Sequence, residues 1–124
     1  MAREILVLED EALIAMDIEM TLQGAGHDGV RVFHDVASAE GYLDGGVPPP
    51  SAALLDVNLG GGETSFAVAR RLLDAEVPFV FLTGYTAGTV GLPEELRDVP
   101  RISKPFRDDH LLGVIGAMME RAAA

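Results

Sequence analysis

Cysteine is absent from this 124-residue chain, and basic residues and long apolar runs are scarce. Without cysteine there is no disulfide framework and no thiolate metal site, which fits a reducing compartment. Nine basic residues stand against twenty acidic ones, a formal net charge of −11. Direct binding to nucleic acid is not expected, because phosphate contacts need clustered Lys and Arg. No window is long enough to span a bilayer, and no secretory signal is recognisable. We therefore expect a soluble, cytoplasmic protein without membrane insertion.

The length of the chain corresponds to one domain, since 124 residues can bury one core but not two. Apolar residues make up 48% of the sequence, enough for the chain to fold on its own. No repeat and no internal boundary is visible. We expect a single domain over residues 1–124 with no output domain.

Five short apolar runs alternate with helical patterns. The predicted strands cover residues 5–8, 30–33, 52–55, 79–82 and 101–102. The uniformly apolar first run is typical of a strand covered on both faces. Alternation of strands and helices predicts an α/β domain with a parallel sheet and right-handed crossovers.

The intervening helices are predicted from apolar residues at helical spacing. In the first helix, which ends near Gly24, Ile14, Ile18 and Leu22 form the core face. Asp35 is expected to cap a short second helix ending at Leu43. The third covers residues 65–75 with Ala69, Leu72 and Leu73 turned inward, and the last covers residues 108–122.

Polar side chains follow four of the five strands directly. Ligands of parallel sheets bind beyond the carboxyl ends of the strands, so we expect these residues to converge there. They are Glu9 and Asp10 after the first strand, Asp56 after the third, Thr83 after the fourth and Lys104 after the fifth. Each alone is more typical of a cap or a turn, but the ordered set indicates a site.

The grouped carboxylates of Glu9, Asp10 and Asp56 would repel one another without a cation. Their oxygen ligands suit Mg²⁺, which uses one or two carboxylates and takes phosphate oxygens in its remaining positions. Asp56, directed out of a strand end, is placed to attack phosphorus and become an aspartyl phosphate.

The remaining groups fit the binding of a phosphoryl group. Lys104 supplies a point charge and Thr83 a hydroxyl donor. Gly84 leaves room for backbone close to the phosphate. Pro105 makes a cis peptide bond after Lys104 accessible, which would fix how the lysine is presented, although composition does not establish that isomer.

This pattern resembles the receiver domain of two-component response regulators over essentially the entire chain. The resemblance implies a flavodoxin-like, doubly wound, five-stranded parallel sheet in the order 2-1-3-4-5. It also implies that Asp56 is the phosphoacceptor and that Glu9 and Asp10 hold Mg²⁺ together with the backbone carbonyl of Asn58. Thr83 then corresponds to the switch hydroxyl and Lys104 to the phosphate-binding lysine.

The segment Phe81-Leu82-Thr83-Gly84-Tyr85 is similar to the motif of the receivers nicknamed FAT GUY, with leucine in place of the usual alanine. Arg101 stands where most receivers carry the aromatic residue that swings inward on phosphorylation. We hypothesise that Tyr85 takes over that role.

The stretch of residues 86–99, where such receivers have their fourth helix, contains Gly88, Gly91 and Pro93. In a helix interior glycine costs about 1 kcal/mol and proline about 3 kcal/mol relative to alanine. We predict that this helix is short or poorly ordered, at most a turn or two near residues 93–97. Two interpretations remain: a segment that gains order on phosphorylation, or a slack surface loop.

A second apolar stripe on the first helix consists of Leu13, Met16 and Met20. Methionine suits adaptable binding surfaces, so the stripe is either a docking site for a kinase or phosphotransfer helix bundle, or a wide buried face.

The resemblance implies a stand-alone response regulator that accepts phosphate from a sensor histidine kinase or a histidine phosphotransfer protein and acts on another protein. It is not expected to be a turnover enzyme. One alternative is an adaptor or phosphate sink. A small phosphohydrolase with an aspartate nucleophile fits poorly, because Asn58 stands where a second acid is needed as general acid or base.

Overall fold

The computed structural model describes residues 4–84 and 91–123. Five strands are present: β1 (Glu4–Leu8), β2 (Gly29–Phe33), β3 (Ala52–Asp56), β4 (Phe79–Thr83) and β5 (Arg101–Ser103). Four α-helices connect or follow them: α1 (Ala12–Gly24), α2 (Val36–Leu43), α3 (Phe66–Asp74) and α4 (Asp108–Ala123). The strands pair in parallel in the order β2-β1-β3-β4-β5, which confirms the predicted flavodoxin-like topology.

The central strands are continuous apolar runs because helices cover both faces of the sheet. Leu6 and Leu8 of β1 pack with α2 and α3, whereas Ile5 and Val7 pack with α1 and α4 on the opposite face. All of these side chains are fully buried. The alternation along a single strand therefore divides the core into two layers, one on each side of the sheet.

The helices confirm the predicted core faces, with one exception. Ile18 and Leu22 of α1 are fully buried, and the Asp35 carboxylate caps α2 by accepting the Ser38 N–H at 2.7 Å. The prediction that Leu73 of α3 points inward is wrong, because its side chain is 43% exposed. The contact face of α3 is centred on Val68, Ala69 and Leu72, and the next residue turns about 100° away from it.

The second apolar stripe of α1 is exposed to solvent, which rules out one of its two interpretations. Leu13, Met16 and Met20 are 81%, 54% and 65% exposed, so the interpretation as a wide buried face is wrong. The short Ala15 and the longer Ile18 and Leu22 make the contact with the sheet instead.

The predicted shortness of the helix before β5 is confirmed. In the described part of that stretch, residues 91–99, the helical structure is one 3₁₀ turn at Glu94–Leu96. Its Leu96 is fully buried and Leu92 nearly so, both in the layer of α2 and α3. Among residues 4–84 and 91–123 every helix is too short or too polar to cross a bilayer.

Candidate phosphoryl and metal site

Three carboxylates meet beyond the carboxyl ends of β1 and β3. Each of Glu9, Asp10 and Asp56 offers an oxygen atom within 4.8 Å of the others. The two strands are neighbours, with Leu8 and Leu55 in register, so the residues that follow them are adjacent across the sheet. Glu9 and Asp56 are buried whereas Asp10 is exposed, which leaves the cluster open to solvent on one side.

Lys104 reaches this cluster from the end of β5. Its Nζ donates to Glu9 Oε1 at 2.6 Å and to Asp56 Oδ2 at 3.0 Å. Its backbone N–H donates to the carbonyl of Thr83 at 2.7 Å, which ties the end of β5 to the end of β4. The Lys104–Pro105 peptide bond is cis, an isomer that proline makes accessible.

Hydrogen bonds hold both the side chain and the backbone of Glu9. Its Oε2 accepts the Glu11 N–H at 3.1 Å, and its own backbone N–H donates to the Phe33 carbonyl at 3.0 Å. The Glu9 carbonyl accepts from Nδ1 of His34 at 2.9 Å. These bonds fix a buried carboxylate directly beside the Lys104 ammonium.

Burial and the neighbouring charged groups shift the pKa values of Glu9 and Lys104. Burial raises the pKa of Glu9 to about 7, against the hydrogen bond from Lys104, and nearby Asp56 adds to the rise. Burial by itself would lower the pKa of Lys104, but the hydrogen bonds to Glu9 and Asp56 outweigh it, so that this pKa is raised. The Lys104 cation therefore partly offsets the charge of the acidic cluster.

A glycine-rich loop after β3 closes the site beside Asp10. The loop is pinned by a bridge between Asn58 and Thr64, and Leu59 N–H donates to the Glu63 carbonyl at 2.9 Å. Gly60 has φ +81°, and a β-carbon built there would lie 3.3 Å from Asp10 Oδ2. The proximity of Gly60 to Asp10 was not predicted from the sequence. The signal was the run of three glycines close behind Asp56.

Thr83 and Gly84 lie at the end of β4, next to the cluster. Thr83 is 3% exposed and stands in register with Ser103 of β5. A β-carbon built at Gly84 would meet no atom of the described residues within 4 Å. Tyr85, the hypothetical substitute for the aromatic residue, lies outside the described residues.

A hollow of about 340 Å³ lies beside Lys104, between α1 and the segment that follows β5. It is lined by Ile14, Asp17, Lys104, Pro105 and Phe106. The exposed Leu13 and Met16 belong to the same helix as Ile14. An apolar surface thus borders the charged site.

The donor set fits a hard divalent cation. The clustered ligand atoms are carboxylate oxygens on three residues, and oxygen is the ligand that Mg²⁺ requires. Both Glu9 oxygens already accept hydrogen bonds, whereas Asp10 is exposed. Asp10 and Asp56 are therefore the carboxylates best placed for direct contact with an ion.

Comparisons with known proteins identify the class to which this chain belongs. No protein-family model matches the chain. The solution structure of SdrG from Sphingomonas melonis Fr1 superposes with a TM-score of 0.77 at 38% identity, over 94% of this chain and 96% of that one. A response regulator receiver protein from Sinorhizobium medicae superposes with a TM-score of 0.79 at 27% identity, over 98% and 97% of the two chains.

The phyllosphere-induced regulator PhyR from Methylorubrum extorquens is 34% identical over 122 residues. The match takes in 93% of this chain but 43% of PhyR, so the chain spans less than half the length of that relative. The chain belongs to the response regulator receiver domains.

Proposed function

We propose that this receiver domain accepts a phosphoryl group on Asp56 from a phosphohistidine of a sensor kinase or a histidine phosphotransfer protein, and that this modification switches a partner-binding surface. The observation that carries the proposal is the contact of Lys104 Nζ with both Glu9 and Asp56, beside Asp10. Acidic ligands, a nucleophile and a phosphate-binding cation thus share one strand-end site. We further propose membership of the FAT GUY subfamily, on the motif that ends in Tyr85.

The metal site that we propose is formed by Asp10, Asp56 and the backbone carbonyl of Asn58, with Glu9 contributing negative charge. Bound Mg²⁺ neutralises charge on the phosphoryl oxygens. The exposure of Asp10 supports this assignment, because Mg²⁺ keeps several water ligands and needs an open side. The glycine at residue 60 supports it as well, since a β-carbon there would lie 3.3 Å from Asp10 Oδ2 and crowd the carboxylate.

In the transfer step a carboxylate oxygen of Asp56 attacks phosphorus. The new P–O bond forms as the P–N bond to the donor histidine breaks, and the imidazole keeps the electron pair and takes up a proton. Lys104, 3.0 Å from Asp56 Oδ2, is positioned to hold a phosphoryl oxygen by its charge. The chain acts as a stoichiometric acceptor rather than as a turnover enzyme.

The proposed switch consists of Thr83, Gly84, Tyr85 and Pro105. The Thr83 hydroxyl is to hydrogen-bond a phosphoryl oxygen, and the lack of described atoms within 4 Å of a β-carbon at Gly84 is consistent with an approach of that group. Because Thr83 O accepts from the Lys104 N–H, a displacement at Thr83 is mechanically coupled to the peptide before Pro105. An unidentified downstream protein is to read the resulting change of surface.

The surface that we propose for the phosphodonor is the exposed stripe of α1, made of Leu13, Met16 and Met20. Its exposure and the apolar hollow beside Lys104 support this choice. An apolar helix face beside the nucleophile suits a helix-bundle partner, whose phosphohistidine must come within bonding distance of Asp56.

The test is incubation with purified candidate sensor kinases and γ-labelled ATP. We expect label on the intact chain to depend on Mg²⁺ and to be lost in Asp56→Ala. The control variant is Asp98→Ala, which removes an exposed acid outside the site and should be labelled as the intact chain is. Equal labelling of Asp56→Ala and the intact chain would contradict the proposal. Return of the label to the donor distinguishes a relay carrier from a phosphate sink.

A further inference from the structure

His34, the first residue after β2, contacts the acidic site from the surface. Its Nδ1 lies 2.9 Å from the backbone carbonyl oxygen of Glu9. A carbonyl oxygen can only accept a hydrogen bond, so Nδ1 carries a proton and donates it. The residue is exposed, whereas the Glu9 side chain is fully buried. The imidazole therefore binds the peptide group that leads into Asp10, and the phosphoryl transfer proposed above assigns no role to it.

The bond from His34 stands where the pairing of β1 with β2 would place a backbone bond. Leu8 and Phe33 are the last pair in register, and the Glu9 N–H still donates to the Phe33 carbonyl at 3.0 Å. The regular parallel pattern would continue with the Asp35 N–H donating to the Glu9 carbonyl. Among the described residues that bond is absent. The imidazole supplies the donor in its place.

The backbone leaves the sheet at Asp35 because α2 begins there. The Asp35 carboxylate accepts the Ser38 N–H at 2.7 Å, and its carbonyl accepts the Ala39 N–H at 3.3 Å. A residue that caps a helix in this way cannot also continue the strand pairing. The Glu9 carbonyl would then need a partner from a side chain or from water. The histidine directly before the cap satisfies it with a fixed group of the protein.

Planarity of the peptide bond carries this contact to Asp10. The Glu9 carbonyl and the N–H and Cα of Asp10 lie in one plane, so a donor held on that oxygen restricts rotation of the whole unit. Among residues 4–84 and 91–123 no group donates a hydrogen bond to the Asp10 carboxylate, and no cation pairs with it. The direction of this exposed carboxylate therefore depends on its backbone.

We propose that His34 is a positioning residue for Mg²⁺ binding. By donating to the Glu9 carbonyl it holds the Glu9–Asp10 peptide in the orientation that brings the Asp10 carboxylate close to Asp56. The inference rests on the proposed role of Asp10 as a metal ligand. The imidazole touches no ligand atom and acts only through the peptide. Groups that orient metal ligands in this manner change metal affinity by about 10- to 100-fold when they are removed.

Substitutions of His34 separate the donor from the shape of the side chain. The side-chain amide nitrogen of asparagine branches from Cγ as Nδ1 of histidine does, so His34→Asn keeps a donor at the same depth. Leucine has a similar branch without a donor, and His34→Ala lacks the donor without adding apolar surface. His110→Leu is the matched control, because it removes an exposed histidine on α4.

The first measurement uses the metal-free full chain and NMR. The carbonyl carbon resonance of Glu9 and the amide resonance of Asp10 should move in His34→Leu and His34→Ala and return toward their original positions in His34→Asn. The second measurement is calorimetric titration with Mg²⁺. We expect the dissociation constant to rise about tenfold in His34→Leu and His34→Ala, and to stay within about threefold of the intact chain in His34→Asn. His110→Leu should change neither quantity.

Three results would overturn this inference alone. Unmoved resonances in His34→Leu and His34→Ala would show that the bond does not hold the peptide. Moved resonances with unchanged Mg²⁺ affinity would show that the bond serves only the fold. Equal losses of affinity in His34→Asn and His34→Leu would show that the donor is not what matters. An intact chain that binds no Mg²⁺ would instead contradict the proposed metal site, and this inference with it.

Discussion

Gly60 lies so close to Asp10 that a β-carbon at residue 60 would stand 3.3 Å from the Asp10 Oδ2. The two residues come from different loops, one after β3 and one after β1. Gly60 has a φ of +81°, a conformation that side-chain-bearing residues rarely adopt. The absence of a side chain at Gly60 therefore leaves room for a carboxylate on the other loop.

Gly60→Ala is expected to displace the Asp10 carboxylate and weaken Mg²⁺ binding, as measured by calorimetric titration. The matched control is Gly62→Ala, because Gly62 has φ +82° but a β-carbon there would meet no atom of the described residues within 4 Å. Both variants carry the same backbone strain, and only the first touches Asp10. Equal Mg²⁺ affinities in the two variants would show that this contact does not position the ligand.

The two helix caps should respond in opposite ways to alanine. Asp35 accepts the Ser38 N–H, so Asp35→Ala should lower the free energy of unfolding. The Ser65 hydroxyl, at the start of α3, is buried without a partner among the described residues. Ser65→Ala should leave that free energy unchanged or raise it by about 1 kcal/mol, because an unsatisfied polar group is removed. Urea unfolding of both variants measures the difference, and a clear loss of stability in Ser65→Ala would contradict the reasoning.

Acid should destabilise the fold partly through Glu4. Hydrogen bonds from Tyr42 and then from Arg31 hold the pKa of Glu4 below its ordinary value, against a small opposing effect of burial. A carboxyl with a lowered folded-state pKa adds stability above its unfolded pKa, and this contribution is lost as the pH falls through the folded pKa.

Glu4→Gln should therefore flatten the loss of stability below about pH 4.5, as measured by urea unfolding across an acid pH series. Glu94→Gln at an exposed acid is the control and should retain the slope of the intact chain. If the two variants followed the same curve, Glu4 would not contribute to acid lability.

Removal of the exposed stripe of α1 should impair phosphoryl transfer but not folding. We expect the double variant Leu13→Ala and Met16→Ala to slow transfer from a cognate donor about tenfold. The free energy of unfolding should change by less than about 0.5 kcal/mol, because both side chains are exposed. The rate of phosphoryl transfer is measured from reactions quenched at successive times, and the free energy of unfolding is measured by urea denaturation.

Two further variants serve as controls for this experiment. Val47→Ala removes exposed apolar surface away from α1 and should transfer at the normal rate. Ile18→Ala removes a fully buried side chain of the same helix and should cost about 2–5 kcal/mol of stability. Normal transfer in the Leu13 and Met16 double variant would place the donor on another surface.

Much of the architecture could be read from the sequence because short-range patterns determine it. The apolar run from Ile5 to Leu8 predicted a strand covered on both faces, and Asp35 before a helical pattern predicted a cap. Gly91 and Pro93 predicted that the helix before β5 would be short, and one 3₁₀ turn is observed there in residues 91–99. In each case the decisive free energy is local to a few neighbouring residues.

The sequence by itself determined which ionisable residues would follow the strands, since the carboxyl ends of parallel strands lie at one edge of a sheet. Only the tertiary structure decided that Glu9 is buried against Lys104 while Asp10 is exposed, that a side chain at Gly60 would crowd Asp10, and that Leu73 turns outward. These outcomes depend on which element covers each side chain. That covering arises from packing between segments far apart in the chain, which no local pattern records.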